Sequence, residues 1–435
     1  MIGYYLDLAR RSLKRNVALT VLMILAIAFG VGASMTTLTV MHVLTADPLP
    51  GKSQDIYAVQ LEPRRARGFV PGQHQEPPWQ LTRFDAEELL KAKKADRQAV
   101  MTAGNAAIEP QRAGIAPFFA DGRWTSADFF PMFRVPFLAG SAWTEQEDLA
   151  KAHVAVIAKP LAEKVFGSID AVGKTLRVEQ HDFRVIGVID HWVPTPHFYD
   201  LNTGNYGQAE QLFVPYSTAL ELKFGRSGNM DCFAEYQGES EDLAAPCVWL
   251  QYWVELDSED KAAAYRDYLV SYSEAQRKAG RFERPANVAL RDVMDWLDYR
   301  EVVPKDARLQ MWVALGFLVV CLVNTIGLLL TKFLRRSSEI GVRRALGASK
   351  VSIFVQLLIE AGTIGVVGGV LGLGLAYLGL WAVRQMPADY AELAQLDGQM
   401  LAMTFGLSIL SSLVAGLLPA WRGCQITPAI QLKSH

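Results

Sequence analysis

Few residues in this 435-residue chain have the types and spacing to do chemistry. Ser168-Ile169-Asp170-Ala171-Val172-Gly173-Lys174-Thr175 ends like a phosphate-binding loop, but such a loop needs glycine first, where Ser168 stands. Residues Lys159 to Phe166 before it read as a helix, and those after it as a strand. A phosphate loop runs from strand into helix, so that amides at the helix start face the anion. The segment is therefore expected to be a glycine turn into a strand, without bound ATP. His153, His181, His191 and His197 are scattered, and no CxxC, HExxH or Cys/His cluster accompanies them. We expect no metal, no cofactor and no catalytic residue in this chain. Cys232 and Cys247 share a large polar region. If that region lies outside the cell they can form a disulfide, and otherwise they are two small buried residues. The last segment with chemical potential is Ser337-Ser338-Glu339-Ile340-Gly341-Val342-Arg343-Arg344-Ala345-Leu346-Gly347-Ala348-Ser349. Its chemistry is recognition. Glu339 and Arg343 are spaced i,i+4 and support a helix. Ile340, Val342 and Leu346 offer apolar contacts, with Arg343 and Arg344 at the rim. A protein groove or anionic lipid head groups would both suit it.

The elements that hold this segment are membrane spans. Half the chain is hydrophobic (51%) yet 20% is charged, so the apolar residues must be segregated. The net charge of −2 makes no case for nucleic acid. Four runs reach the ~20 apolar residues that a span needs. We place them at 17–45, 309–333, 351–383 and 399–421. Lysine and arginine crowd 1–16, 334–350 and 422–435, whereas 46–305 and the short loop 384–398 do not share that excess. By the positive-inside rule both termini and the 334–350 segment are cytoplasmic, and 46–305 is outside. The third span carries Gly365, Gly368, Gly369 and Gly372, which form overlapping GxxxG pairs. These allow close helix contact, either between two copies or within one chain. Glu360 is a functional candidate by default, as any carboxylate in a span is. So near the charged end of its span, it is expected to reach interfacial water or an arginine. Asn324, in the second span, is expected to hydrogen-bond between helices.

Residues 46–305 are long enough for a domain. Asp55 to Leu61 alternates like a strand, Asp85 to Ala92 reads as a helix and Val100 to Ala103 as a second strand. Val248 to Leu256, Ser258 to Ala279 and Ala286 to Leu290 repeat strand, helix, strand. Two β-α-β units thus bracket a β-richer insert at 104–245, with strands near 154–157, 174–179, 183–189 and 211–214. The expected fold is a four-helix membrane protein with a large α+β extracytoplasmic domain.

This order resembles the MacB/FtsX-type permeases of ABC transporters. Glu339 to Ala348 is similar to the family's cytoplasmic signature. Phe129-Phe130-Pro131-Met132-Phe133 through Gly140, Phe166 through Leu176, and Phe183 through Val188 resemble pieces of its periplasmic core. Leu417 to Arg422 and Thr427-Pro428-Ala429 resemble the exit of its last span. The resemblance implies a porter-like subdomain at 52–103 and 246–305 and a sabre-like insert at 104–245. It implies a permease dimer in the bacterial inner membrane, with a second copy or a related permease. ATP and Mg would be bound by separate cytoplasmic ATPase subunits that grip Glu339, Ile340, Val342, Arg343, Arg344 and Leu346. The chain departs from MacB in carrying no fused ATPase domain. The implied mode is mechanotransmission for export of peptides, drugs or other periplasmic substrates, together with a membrane-fusion protein and an outer-membrane channel. A lipoprotein-releasing permease and a regulator of a cell-envelope hydrolase are the alternatives.

Overall fold

The computed structural model describes residue 8 and residues 11–13, 15–73, 75–112, 114–206, 209–386 and 398–425. Most of the expected 384–398 loop and 422–435 tail, including the Thr427-Pro428-Ala429 motif, lies outside the described residues. The chain divides into two units, Ala46–Val302 and the combination of Met1–Thr45 with Val303–His435.

In the Ala46–Val302 unit, thirteen strands are described: β1 (Ile56–Gln60), β2 (Leu81–Thr82), β3 (Arg97–Glu109), β4 (Phe118–Thr125), β5 (Phe137–Gly140), β6 (Val154–Ala158), β7 (Thr175–Val178), β8 (His181–Ile189), β9 (Leu212–Pro215), β10 (Arg226–Ser227), β11 (Asp231–Cys232), β12 (Cys247–Glu255) and β13 (Ala289–Asp292). The main path of the sheet runs β13-β1-β12-β3-β4-β9-β6-β8-β5. Both expected β-α-β units feed one end of it. Helix Arg83–Ala92 links the first unit, with the Thr82 side chain accepting from the Asp85 amide at its start. Helix Glu259–Lys278 links the second, capped by Ser258. Its Glu259 and Asp260 at one end and Arg277 and Lys278 at the other suit the helix dipole.

Val100 to Ala103 is in a strand as expected, but the strand is longer at both ends. It is β3, which continues to Glu109 and pairs with β4 from Met101↔Thr125 to Ile108↔Phe118. The expected insert boundary at 104 therefore cuts through a continuous strand. Ala103-Gly104-Asn105-Ala106-Ala107 has little strand propensity. Tertiary packing overrides it, because a Cβ on Gly104 would come within 2.2 Å of the Trp124 indole. The last strand also lies later than expected, at Ala289–Asp292 rather than 286–290, in register with Gln60 to Tyr57 of β1.

The phosphate-loop look-alike runs from helix Lys159–Phe166 into β7, with Gly167 and Gly173 both at positive φ. The Phe129-Phe130-Pro131-Met132-Phe133 motif forms one helical turn whose three phenylalanines are buried. Phe129 meets Phe133 edge-on at 5.0 Å and Phe130 meets Trp143 at 4.8 Å. Cys232 and Cys247 face each other across β11 and β12 and are joined by a disulfide.

His197 is not a scattered histidine. It belongs to a buried charge cluster with Arg123, Asp200 and Glu210, which are all fully or nearly buried. Arg123 on β4 donates to Asp200 (2.6 Å) and to Glu210 (Nε, 3.0 Å). Tyr199 donates to Glu210 at 2.7 Å, and Gln251 to Asp200 at 3.1 Å. His197 Nε2 lies 3.3 Å from Glu210. Burial raises the Glu210 carboxyl, but Arg123 and His197 outweigh it and hold it well below the usual carboxylate range.

Among the described residues, the other unit contains four helices long and apolar enough to cross a membrane: Val17–Leu44, Lys305–Arg335, Lys350–Arg384 and Gly398–Cys424. The second starts at Lys305, four residues before the expected 309, because Pro304 directly precedes it and suits a helix start. The glycines of the third span pack within the chain. A Cβ on Gly365 would lie 2.0 Å from Ser412 Oγ, and one on Gly369 would lie 2.7 Å from Ser408 Oγ, both on the fourth span. Gly368 and Gly372 face the first span instead, where an added Cβ would lie 2.8 Å from Ile27 Cγ2 and 3.2 Å from the Ala28 carbonyl respectively. Gly372→Leu should therefore separate the first and third spans, because the backbone carbonyl cannot yield. We expect a loss on the order of 3 kcal/mol from overpacking, read as less folded protein extracted from membranes. Gly374→Leu, with open space around it, should be silent. Asn324 does not bond between helices of this chain as expected. It lies on the exposed face of the second span.

Candidate functional site

The Ser337–Ala345 helix is bounded by two sequence devices. Arg336 ends the second span and starts this helix, with φ −103° and ψ 14° breaking the helical path. Gly347, at φ +99°, turns the chain after Leu346, a conformation that favours glycine. Ser349 then caps the third span by accepting from the Ser352 amide. The helix thus joins two spans through a one-residue joint at one end and a glycine turn at the other.

Its residues divide between two faces. Ile340 is only 7% exposed and packs among Met23, Phe333 and Leu357 in the core of the membrane unit. Its expected role in gripping a partner is corrected: the chain's own helices already occupy it. Val342 is 57% exposed and Leu346 83%, so these two remain available. Arg343 donates to Glu339 at 2.8 Å and to Gln356 at 3.1 Å, holding the helix against the third span. The Arg344 guanidinium reaches toward the Cys424 carbonyl at 3.5 Å. Glu339 collects three arginines: Arg336 at 3.2 Å, Arg343, and Arg15 at 3.2 Å. Burial raises its carboxyl, but Arg336, Arg343 and Arg15 together leave it below the ordinary glutamate value.

Behind the helix lies a buried ionic node that the sequence only hinted at. Glu360 is 1% exposed. It pairs with Lys332 at 2.8 Å and with Arg336 at 3.1 Å, and accepts from Ser12. Arg336 also donates to Ser12 at 2.6 Å, and Lys332 to Thr20 at 3.4 Å. The expected arginine for Glu360 is therefore Arg336. Lys332, Ser12 and Thr20 were not anticipated. The available signal was charge at matching depth: Lys332 and Arg336 one turn apart at the end of one span, Glu360 near the start of the next. Two cations, Lys332 and Arg336, thus answer the buried Glu360, and Arg336 is shared with Glu339; buried charge requires such partners.

Residues 20–272 match the family described as MacB-like periplasmic core domain, and residues 311–428 match the FtsX-like permease C-terminal family. The pyoverdine export ATP-binding/permease protein PvdT of Pseudomonas aeruginosa is 25% identical over 71% of this chain and 42% of its own length. The macrolide export ATP-binding/permease protein MacB of Rhodospirillum rubrum is 25% identical over all of this chain and 60% of its own. The chain thus spans less than two thirds of these curated relatives. The crystal structure of the periplasmic region of MacB from Actinobacillus actinomycetemcomitans aligns with 59% of this chain and 97% of its own, at 16% identity and a TM-score of 0.37.

Proposed function

We propose that this chain, which belongs to the family with a MacB-like periplasmic core domain and carries an FtsX-like permease region, is the permease of an ATP-driven exporter. One observation carries this reading: a short helix between two spans keeps Val342 and Leu346 exposed while an ion network fastens its other face to the membrane unit. Solvent-exposed leucine and valine on an otherwise fastened helix suit a protein groove better than lipid head groups, which would select the arginines. The partner is a cytoplasmic ABC ATPase, which binds ATP and Mg. Its closure pushes on the helix. The first and second spans lead in sequence directly into and out of Ala46–Val302, so their movement reaches the outer domain. The termini and the Ser337–Ala345 helix are cytoplasmic in this arrangement, in a bacterial inner membrane. A second permease copy completes the complex and can satisfy the outward-facing Asn324 amide.

The relatives' names mention export of pyoverdine and of macrolides, which supports export of a molecule rather than release of a lipoprotein. The test is copurification of the full chain from native membranes with mild detergent. An ATPase with a membrane-fusion protein supports the exporter. A lipoprotein, or a cell-wall hydrolase without a fusion protein, replaces it with one of the alternatives. Absence of any ATPase rejects the permease reading itself.

A further inference from the structure

We propose that Arg336 and Glu360 form a lock that makes the Ser337–Ala345 helix and the third span move as one body. The proposal rests on the reading that this helix receives the ATPase stroke. Arg336 is the only residue between the second span and the Ser337–Ala345 helix, and its backbone is not helical. A joint of one residue would ordinarily absorb a push by bending. Here the joint residue is itself the anchor. One guanidinium holds Glu339 on the short helix (3.2 Å), Glu360 on the third span (3.1 Å) and Ser12 ahead of the first span (2.6 Å).

Bending at Arg336 would draw this guanidinium off Glu360, which is 1% exposed, and break one of the two ion pairs of that buried carboxylate, leaving it to Lys332 alone. Such a state is strongly disfavoured, so the displacement passes to the third span instead. Lys332 extends the same node to the second span's own axis and, through Thr20, to the first span. The end of the second span and the beginnings of the first and third therefore meet at one charged hub. Arg336, Glu360 and Lys332 are positioning residues and touch no partner in this scheme. The exposed contacts belong to Val342 and Leu346.

The experiment uses the full chain in nanodiscs with the double substitution Glu360→Gln and Lys332→Met. This removes one charge of each sign, so the net charge of the node is unchanged, with Arg336 still paired to Glu339. The variant should fold and recruit the ATPase as the native chain does. Amide exchange across 337–345 should rise about tenfold to a hundredfold, the range for losing a hydrogen bond to a charged group. ATP turnover should no longer respond to the permease. Unchanged exchange in 337–345 overturns the lock, as does loosened exchange with turnover still coupled. If the double variant fails to fold, Glu360→Asp is measured in its place. Its shorter side chain keeps the charge but retracts from Arg336, and it should loosen 337–345 in the same direction; unchanged exchange there again rejects the lock. If the native chain recruits no ATPase at all, the exporter reading fails, while the exchange result still decides the lock.

Discussion

Val342→Glu combined with Leu346→Glu should abolish ATPase recruitment while leaving the permease folded in the membrane. Both side chains are mostly exposed, so their replacement disturbs no packing within the chain. Fully burying a valine or leucine side chain contributes about 1.5–3 kcal/mol, and each 1.4 kcal/mol is a factor of ten in affinity. Two such side chains replaced by carboxylates should weaken binding by roughly a hundredfold or more. The measurement is the amount of ATPase retained on the immobilised permease, with permease-stimulated ATP turnover beside it. Retention and turnover within twofold of native would remove the coupling assignment. Arg343→Glu with Arg344→Glu should also reduce recruitment, but less cleanly. Arg343 holds the helix through Glu339 and Gln356, so its reversal also shifts the surface being tested. Ile340→Ala distinguishes the two faces. Its loss should destabilise the membrane unit, by ~2–5 kcal/mol for a buried isoleucine, without a selective effect on recruitment.

Arg123→Ala should be the most damaging single change in the Ala46–Val302 unit. It leaves Asp200 and Glu210 buried, with His197 as the nearest basic group. Removing one partner of a buried ion pair costs about 3–5 kcal/mol. For a unit of this size that lowers the unfolding midpoint by on the order of 10 °C. Tryptophan fluorescence of the full chain during heating reads it, and Arg123→Met with Glu210→Gln should recover part of the loss. A midpoint within 2 °C of native would show that the cluster is not holding the unit together. The same pair sets the acid limit. Glu210 has a folded pKa below its unfolded value, so its stabilisation is complete above the ordinary glutamate pKa of ~4.3 and falls away as pH drops below it. The double variant Arg123→Met with Glu210→Gln should show a flatter acid transition over that range than the native chain.

The four spans were legible in the sequence because hydrocarbon demands about twenty apolar residues regardless of neighbours. The connecting helix was legible too, from its Glu339/Arg343 spacing and its basic residues. What it presents was not. A helix of nine residues with Ile340, Val342 and Leu346 does not state which of them faces its own bundle. Gly365, Gly368, Gly369 and Gly372 permit close approach to any helix, and only the fold assigns two to the fourth span and two to the first. The strand read at Val100 to Ala103 was not extended to Glu109 for a related reason. Alanine, glycine and asparagine acquire strand geometry from pairing with β4 and from the Trp124 indole, both distant in sequence.

By itself, then, the sequence determined the membrane partition and the short helix between two spans, because these depend on composition and local spacing, and its motifs carried the family resemblance. Tertiary structure alone decided that Ile340 is taken and Val342 and Leu346 are free. It also decided that Glu360 is answered by both Lys332 and Arg336. Burying charge in a low-dielectric interior requires partners brought together from separate helices, and no local pattern specifies which helix will supply them.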